Sequence, residues 1–104
     1  MPFQAARALA EKWVELMTSG EGELVPEATL ARPYGWVFCY QNRAYLRDPT
    51  KTSLVYAGNA PLLVTKDLEI RVLGTALPTE DYLTAFEESL PVGWRQGRVE
   101  EPVW

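Results

Sequence analysis

Gly35-Trp36-Val37-Phe38-Cys39-Tyr40-Gln41 is the stretch that decides the fold. Tryptophan, valine, phenylalanine and tyrosine all favour a pleated, extended backbone. No polar residue interrupts the run from Trp36 to Tyr40, so neither side is reserved for water. The pattern predicts a strand over Trp36 to Gln41 that is central and covered in part on both faces. Pro33-Tyr34-Gly35, just ahead of it, is a turn signal.

Downstream, Gly58-Asn59-Ala60-Pro61 reads as a turn that delivers the chain into a new strand, because proline favours an extended residue before it. Tyr45-Leu46 can prolong the central strand, which Asp48-Pro49 then ends, and Leu54 to Ala57 is short and apolar. A hairpin follows. Leu62 and Val64 alternate with Leu63 and Thr65, and Ile70 and Val72 alternate with Glu69 and Arg71. A loop with an odd number of residues around Lys66-Asp67-Leu68 puts Leu62, Val64, Ile70 and Val72 on one face. A two-residue loop would mix those apolar residues with Thr65, Glu69 and Arg71, so the pattern selects the odd loop. The other face then carries Thr65, Glu69 and Arg71 beside Leu63 and Leu73.

The flanks read as helices. Residues 2–18 place Phe3, Ala6, Ala10, Trp13 and Met17 at three- and four-residue spacing, with Leu9 and Leu16 widening the stripe. Gly20 is a natural left-handed cap for that helix. Residues 20–26 read as a polar turn, and Glu27 to Arg32 as a strand with Ala28 and Leu30 on one face. Near the other end, Thr79 suits an N-cap, with Glu80 and Asp81 in the favoured first turn. Tyr82, Leu83, Phe86 and Leu90 form the buried stripe of this second helix. The order of helix, strands and helix lacks βαβ alternation, which predicts an α+β domain. The expected architecture is an N-terminal helix, a three- to four-stranded antiparallel meander, a second helix on one face and an irregular C-terminal tail. Residues 1–91 read as one domain. Residues 92–104, with Trp94 and Trp104, form a tail either draped on the domain or ordered by a partner.

A chain of 104 residues is one domain in size and can bury roughly two-thirds of its unfolded surface. The net charge is −4, from 10 Lys and Arg against 14 Asp and Glu. An acidic surface repels phosphate backbones, so nucleic acid is not an expected ligand, whereas a basic protein would be attracted. The single Cys39 forms no internal disulfide, which suits a reducing compartment. Met1 to Glu11 has no apolar run after a basic start, and no stretch approaches the roughly 20 apolar residues that span a bilayer. The expected location is cytoplasmic, without membrane association.

Histidine is absent, which removes the usual general base and the commonest metal ligand together. Cys39 lies between Phe38 and Tyr40 with no histidine to activate it, and reads as a small buried hydrophobe. One cysteine and no histidine exclude the common zinc sites. Glu21-Gly22-Glu23 lacks the ligand spacing of a calcium loop. Glu87-Glu88 and Glu100-Glu101 are consecutive pairs, which do not face one another as catalytic carboxylates must. No glycine-rich phosphate loop is present. No cofactor, metal or catalytic residue is therefore expected. What remains is surface. Arg43, Glu69 and Arg71 are candidates for partner contact on the exposed sheet face, and Trp94 and Trp104 are candidates on the tail.

Three elements in order carry a family resemblance. Gly35-Trp36-Val37-Phe38-Cys39-Tyr40 resembles the Gly-Trp-aromatic strand of the YrhB-like family, the immunity protein 35 family of bacterial polymorphic toxin systems. Ala57-Gly58-Asn59-Ala60-Pro61 before an apolar strand resembles its second signature. Val72-Leu73-Gly74-Thr75-Ala76, followed by Pro78 and a helix with Tyr82-Leu83, resembles its third. The resemblance implies a small cytoplasmic α+β protein that binds and neutralises a cognate toxin domain, without catalytic residues. It also implies, as an alternative, a chaperone-like interaction protein. An enzyme using carboxylates alone is the remote alternative. Trp36, Gly58, Asn59, Pro61 and Gly74 match the family's recurring residues and look structural: glycine and proline fix turns, and Asn59 is expected to bond locally in place of a backbone partner.

Overall fold

The computed structural model describes residues 2–104 and has an α+β architecture. Helix α1 spans Pro2–Met17. Strands β1 (Gly22–Leu24), β2 (Leu30–Arg32), β3 (Gly35–Phe38) and β4 (Tyr40–Asn42) follow, then a short helix α2 (Arg43–Arg47). Strands β5 (Leu62–Thr65) and β6 (Ile70–Val72) precede helix α3 (Thr79–Glu88) and a helical turn α4 (Val92–Arg95).

The main sheet has the order β2-β3-β5-β6, and every neighbouring pair is antiparallel. It is not a simple meander. After β3 the chain leaves the sheet, β4 pairs with β1 in a separate two-stranded sheet, and the chain returns as β5 only at Leu62. The single strand expected over Trp36 to Gln41 is thus two strands broken at Cys39, whose carbonyl accepts a hydrogen bond from the Val25 amide at 2.9 Å. Strand β1 lies where a polar turn was expected. It has only three residues, and its partner is far away in sequence, so no local pattern announces it.

All four residues of β3 are buried, as its unbroken apolar run requires. Gly35 lies so close to β5 that a Cβ there would come within 2.8 Å of the Thr65 Cα and still nearer the Val64 carbonyl. The hairpin has the odd loop that hydrophobic alternation selects: Leu62 pairs with Val72, Leu63 with Arg71 and Val64 with Ile70. Leu68 closes that loop with a φ of 64°.

Two apolar layers flank the sheet. On one face Phe3, Ala6, Ala10 and Val14 of α1 cover Trp36, Phe38, Leu62 and Val64. On the other, Leu83 of α3, supported by Tyr82, Phe86 and Leu90, covers Tyr34, Val37, Leu63 and Leu73. Both faces are thus covered at β3 and β5, whereas β6 is an open edge: Val72, expected on the apolar face with Leu62, is 55% exposed. Leu63 is fully buried, and the face expected to be exposed beside Leu63 and Leu73 is the floor of the second core layer.

The α1 stripe differs from the expected one at its last turn. Val14 is buried, whereas Leu16 and Met17 are 71% and 64% exposed. The added sheet explains this: Gly22 and Leu24 of β1 pack on Val14 and Thr18, which turns the contact face away from Met17. Gly20, with a φ of 79°, donates to the Glu15 carbonyl at 2.9 Å and caps the helix as expected.

Three further local expectations change. Tyr45-Leu46 lies in α2, not in an extended strand, because the Asn42 side chain caps that helix by accepting from the Tyr45 amide at 3.1 Å. Glu27 to Arg32 is a single 3₁₀ turn at Pro26–Ala28 followed by a strand of only three residues. Thr79 is the first helical residue of α3 and not its cap; Pro78 holds the N-cap position, without a side-chain hydrogen bond. Pro there suits its fixed φ.

The tail lies along the N-terminal end of α1. The Glu100 carbonyl accepts from Trp36 Nε1 at 2.8 Å, and its carboxylate accepts from the Phe3 amide at 3.1 Å. The Trp104 ring sits edge-on to Phe3 and Phe38, with centroids 5.6 and 5.9 Å away. Arg7 stacks over that ring at 4.7 Å and donates to the Trp104 carbonyl at 3.0 Å.

Tyr34, between β2 and β3, ties the sheet to α3 by donating its hydroxyl to the Glu87 carboxylate at 2.6 Å. Burial, reinforced by that carboxylate, pushes the Tyr34 phenol above its usual range. A raised pKa stabilises the fold fully below the unfolded value of 10.0 and loses that contribution as pH rises beyond it. Tyr34→Phe should cost about 1 kcal/mol at neutral pH. Urea melts from pH 9 to about 11.5 should then show the gap between the two proteins shrinking above pH 10, at up to about 1.4 kcal/mol per pH unit, and changing sign before pH 11.5. A gap that stays constant would contradict this reading.

Candidate functional site

The surface residues singled out in the sequence do not form one patch. Arg43 is the first residue of α2 and lies off the main sheet. Its guanidinium pairs with Glu23 at 3.1 Å and donates to the Gly20 and Gly22 carbonyls at 2.8 and 3.3 Å. It ties α2 to the turn after α1, and its donors are largely occupied. Glu69 and Arg71 pair with each other at 2.8 Å and are each about half exposed. The Arg71 guanidinium also lies over the Phe86 ring at 5.0 Å, so the pair sits on the seam between β6 and α3. Trp94 belongs to α4 and is 37% exposed, beside Pro33, Lys66, Gly93 and Gly97. Trp104 packs on Phe3, Phe38 and Arg7 and is 37% exposed, as Trp94 is.

The signature residues have structural partners. Trp36 is fully buried against Phe3 and holds the tail. Gly58 has a φ of 72°, a conformation that glycine adopts without strain. Asn59 does not bond locally: its Nδ2 donates to the Tyr40 carbonyl at 2.7 Å, which fastens the loop to β4. The Pro61 carbonyl accepts from the Leu73 amide at 2.9 Å and extends the β5–β6 ladder. Gly74 faces the Tyr82 ring so closely that a Cβ would collide with it, and the Tyr82 hydroxyl in turn accepts from the Ala76 and Leu77 amides.

Cys39 is partly buried, and burial pushes its thiol above the usual range. Its Sγ lies 4.0 Å from the Ala28 carbonyl. Such a thiol holds little thiolate at neutral pH. We expect iodoacetamide to alkylate Cys39 at pH 7.5 at least about tenfold more slowly in the native protein than in urea, as read by mass spectrometry. Equal rates would contradict the burial. Among the described residues, no group of three or more His, Cys, Asp or Glu is arranged to hold a metal ion. No helix there is long and apolar enough to cross a membrane.

Open grooves lie where α1, β1, β4 and the 54–59 loop meet. One, of about 420 Å³, is lined by Glu11, Glu15, Glu23 and Arg43 around Val14 and Leu24. Another, of about 450 Å³, is lined by Met17, Glu21, Tyr40, Tyr56 and Asn59. Sequence reading did not single out this second groove. Its walls come from three separate segments, two of which, β4 and the 56–59 loop, are joined by hydrogen bonds of the Gln41 and Asn59 side chains that local pattern does not reveal.

Among proteins of known sequence, the chain is 44% identical over 54 residues to the uncharacterized protein YrhB of Escherichia coli (strain K12). That match covers 51% of this chain and 56% of the relative, so the chain spans about half the length of the curated protein it matches. No solved structure matches the chain. The family model described as immunity protein 35 matches residues 4–88. That range runs from the first turn of α1 to the end of α3 and takes in both core layers except Phe3 and Leu90. On this match, the chain belongs to the immunity protein 35 family.

Proposed function

We propose that this chain is an immunity protein that binds a cognate bacterial toxin domain in the cytoplasm and neutralises it by occlusion, without catalysis. Membership of the immunity protein 35 family over residues 4–88 is the observation that carries this reading. An interface of about 1,600 Å² is enough for tight binding and needs no reactive group. The net charge of −4 favours a basic toxin, because complementary charge accelerates capture. Glu69, Arg71, Arg43, Trp94 and Trp104 are all partly or half exposed and so accessible for contact, although Arg43 and Trp104 also make intramolecular contacts.

The test is co-expression with the toxin domain encoded by the neighbouring gene. The chain should restore growth and co-purify with the toxin. Growth arrest that persists despite soluble, folded chain would overturn the proposal. A chaperone-like role is the second reading; the individually exposed Leu16 and Met17 at the end of α1 are the apolar residues it would use. Suppression of aggregation of several unrelated proteins would support it, and activity confined to one partner would rule it out.

A further inference from the structure

The groove between the C-terminal turn of α1, β4 and residues 56–59 has three features that together specify a ligand. The first is an aromatic run. Trp13 packs edge-on against Tyr40 with centroids 5.8 Å apart, and Tyr40 against Tyr56 at 6.2 Å. Tyr40 and Tyr56 then line the groove. The second is rigidity. Gln41 Oε1 accepts from the Tyr56 amide at 2.7 Å, Gln41 Nε2 donates to the Tyr56 carbonyl at 3.3 Å, and Asn59 fastens the loop to the Tyr40 carbonyl. The aromatic wall is therefore held by two side chains that bridge β4 and the loop. The third is charge. Glu21 lines the same groove, is exposed, and forms no ion pair among the described residues. On its other side it borders Arg43 and Arg47, both held by Glu23, and Lys51, so the ligand's charged head must compete with Lys51 for its carboxylate. Met17, 64% exposed, completes an apolar lip.

Aromatic faces attract a cation within about 6 Å, and they also cover the aliphatic stem of a long basic side chain. A carboxylate at the rim supplies the counter-charge. The groove is wide open to solvent, and its roughly 450 Å³ takes one long side chain lying along the surface.

We propose that this groove is a docking site for an arginine or lysine side chain of the partner protein, its stem along Met17 and Tyr56 and its charged head toward Glu21. The identification of that partner as a toxin rests on the immunity reading; the cation-binding chemistry of the groove does not. Asn59 thereby acquires a role as a positioning residue, since it holds the loop that presents Tyr56.

The experiment is a titration of the isotopically labelled full chain with N-acetyl-arginine amide, followed by amide chemical shifts. N-acetyl-norleucine amide serves as a neutral probe of the same reach. The arginine probe should produce saturable shifts centred on Met17, Glu21, Tyr56 and Asn59, weakened severalfold by 0.5 M salt, roughly as screened ion pairing requires. Glu21→Gln, a change at an exposed position, should weaken binding at least about threefold, and Tyr56→Leu likewise. Tyr56→Phe should retain binding because it keeps the ring face. Glu88→Gln, on α3, should leave it unchanged. The proposal is overturned if the norleucine probe binds as well, if shifts spread equally over Glu87, Glu88, Glu100 and Glu101, or if none appear. Should the neighbouring toxin fail to bind the wild-type chain, the immunity reading falls while the titration still judges the groove. Should the toxin bind wild type and Glu21→Lys equally, the groove assignment falls and the immunity reading stands.

Discussion

Trp36→Ala is expected to remove most of the stability of the fold. The indole is fully buried at the centre of β3, edge-on to Phe3 at 5.5 Å. Large-to-small changes of buried aromatics cost about 3–5 kcal/mol, because the cavity left behind closes only in part. Here the change also strips the Glu100 carbonyl of its donor, the link between sheet and tail. A domain of this size is stable by about 5–15 kcal/mol in total, so the variant should be largely unfolded at modest urea. Trp36→Phe keeps a ring and loses the donor, and should retain more than half of what alanine loses. A urea midpoint for Trp36→Ala that costs less than about 1.5 kcal/mol would contradict the packing described here.

Removal of residues 97–104 is expected to have the second-largest effect. It uncovers Phe3 and Phe38, leaves the Trp36 N–H without an acceptor and frees Arg7 from the Trp104 ring. Trp104 is 37% exposed, so it buries only part of the roughly 150–250 Å² a tryptophan can bury, and that partial loss with one orphaned donor amounts to about 2–4 kcal/mol. The melting temperature should fall by about 10 °C or more for a domain of this size. Trp104→Ala alone should account for a large part of the fall. An unchanged melting temperature would instead assign the tail to partner binding, the other role its tryptophans suggested. The segment lies beyond the family match, which ends at residue 88, so its packing is a feature of this chain and not one inferred from the family.

Much of the fold was legible because its signals are local. The α1 periodicity, the unbroken apolar run of β3, the odd loop of the β5–β6 hairpin and the Tyr82-Leu83-Phe86-Leu90 stripe each lie within one short window. The misread features depend on distant partners. Strand β1 exists because β4 pairs with it, and β4 is a separate strand because the chain turns out of the main sheet at Cys39. Once β1 is in place, Gly22 and Leu24 draw Val14 inward and leave Met17 outside. A local signal was also present and outweighed: Asn42 is a good cap for α2, but the β-favouring Tyr45 suggested an extended segment.

The candidate surface was less legible for the same reason. Arg43 looked like a free surface cation, yet Glu23 and two carbonyls occupy it. Tyr56 carried no signal of its own in the apolar segment before Gly58. It becomes a groove wall only through Gln41, 15 residues earlier. Asn59 was recognised as a structural residue, and its actual partner, the Tyr40 carbonyl, shows what the signature turn is for: it fixes the 56–59 loop against β4 beside an open face of α1.

The central claim is neutralisation by binding and not by turnover. Its most direct test is a titration of the toxin's own activity with this chain at concentrations well above the dissociation constant. Occlusion predicts a linear fall that reaches zero at one equivalent, with a tight complex in the nanomolar range or below and both proteins recovered intact. Loss of toxin activity at a small fraction of an equivalent would indicate catalytic inactivation, and activity undiminished at excess chain would indicate no interaction; either result would contradict the account.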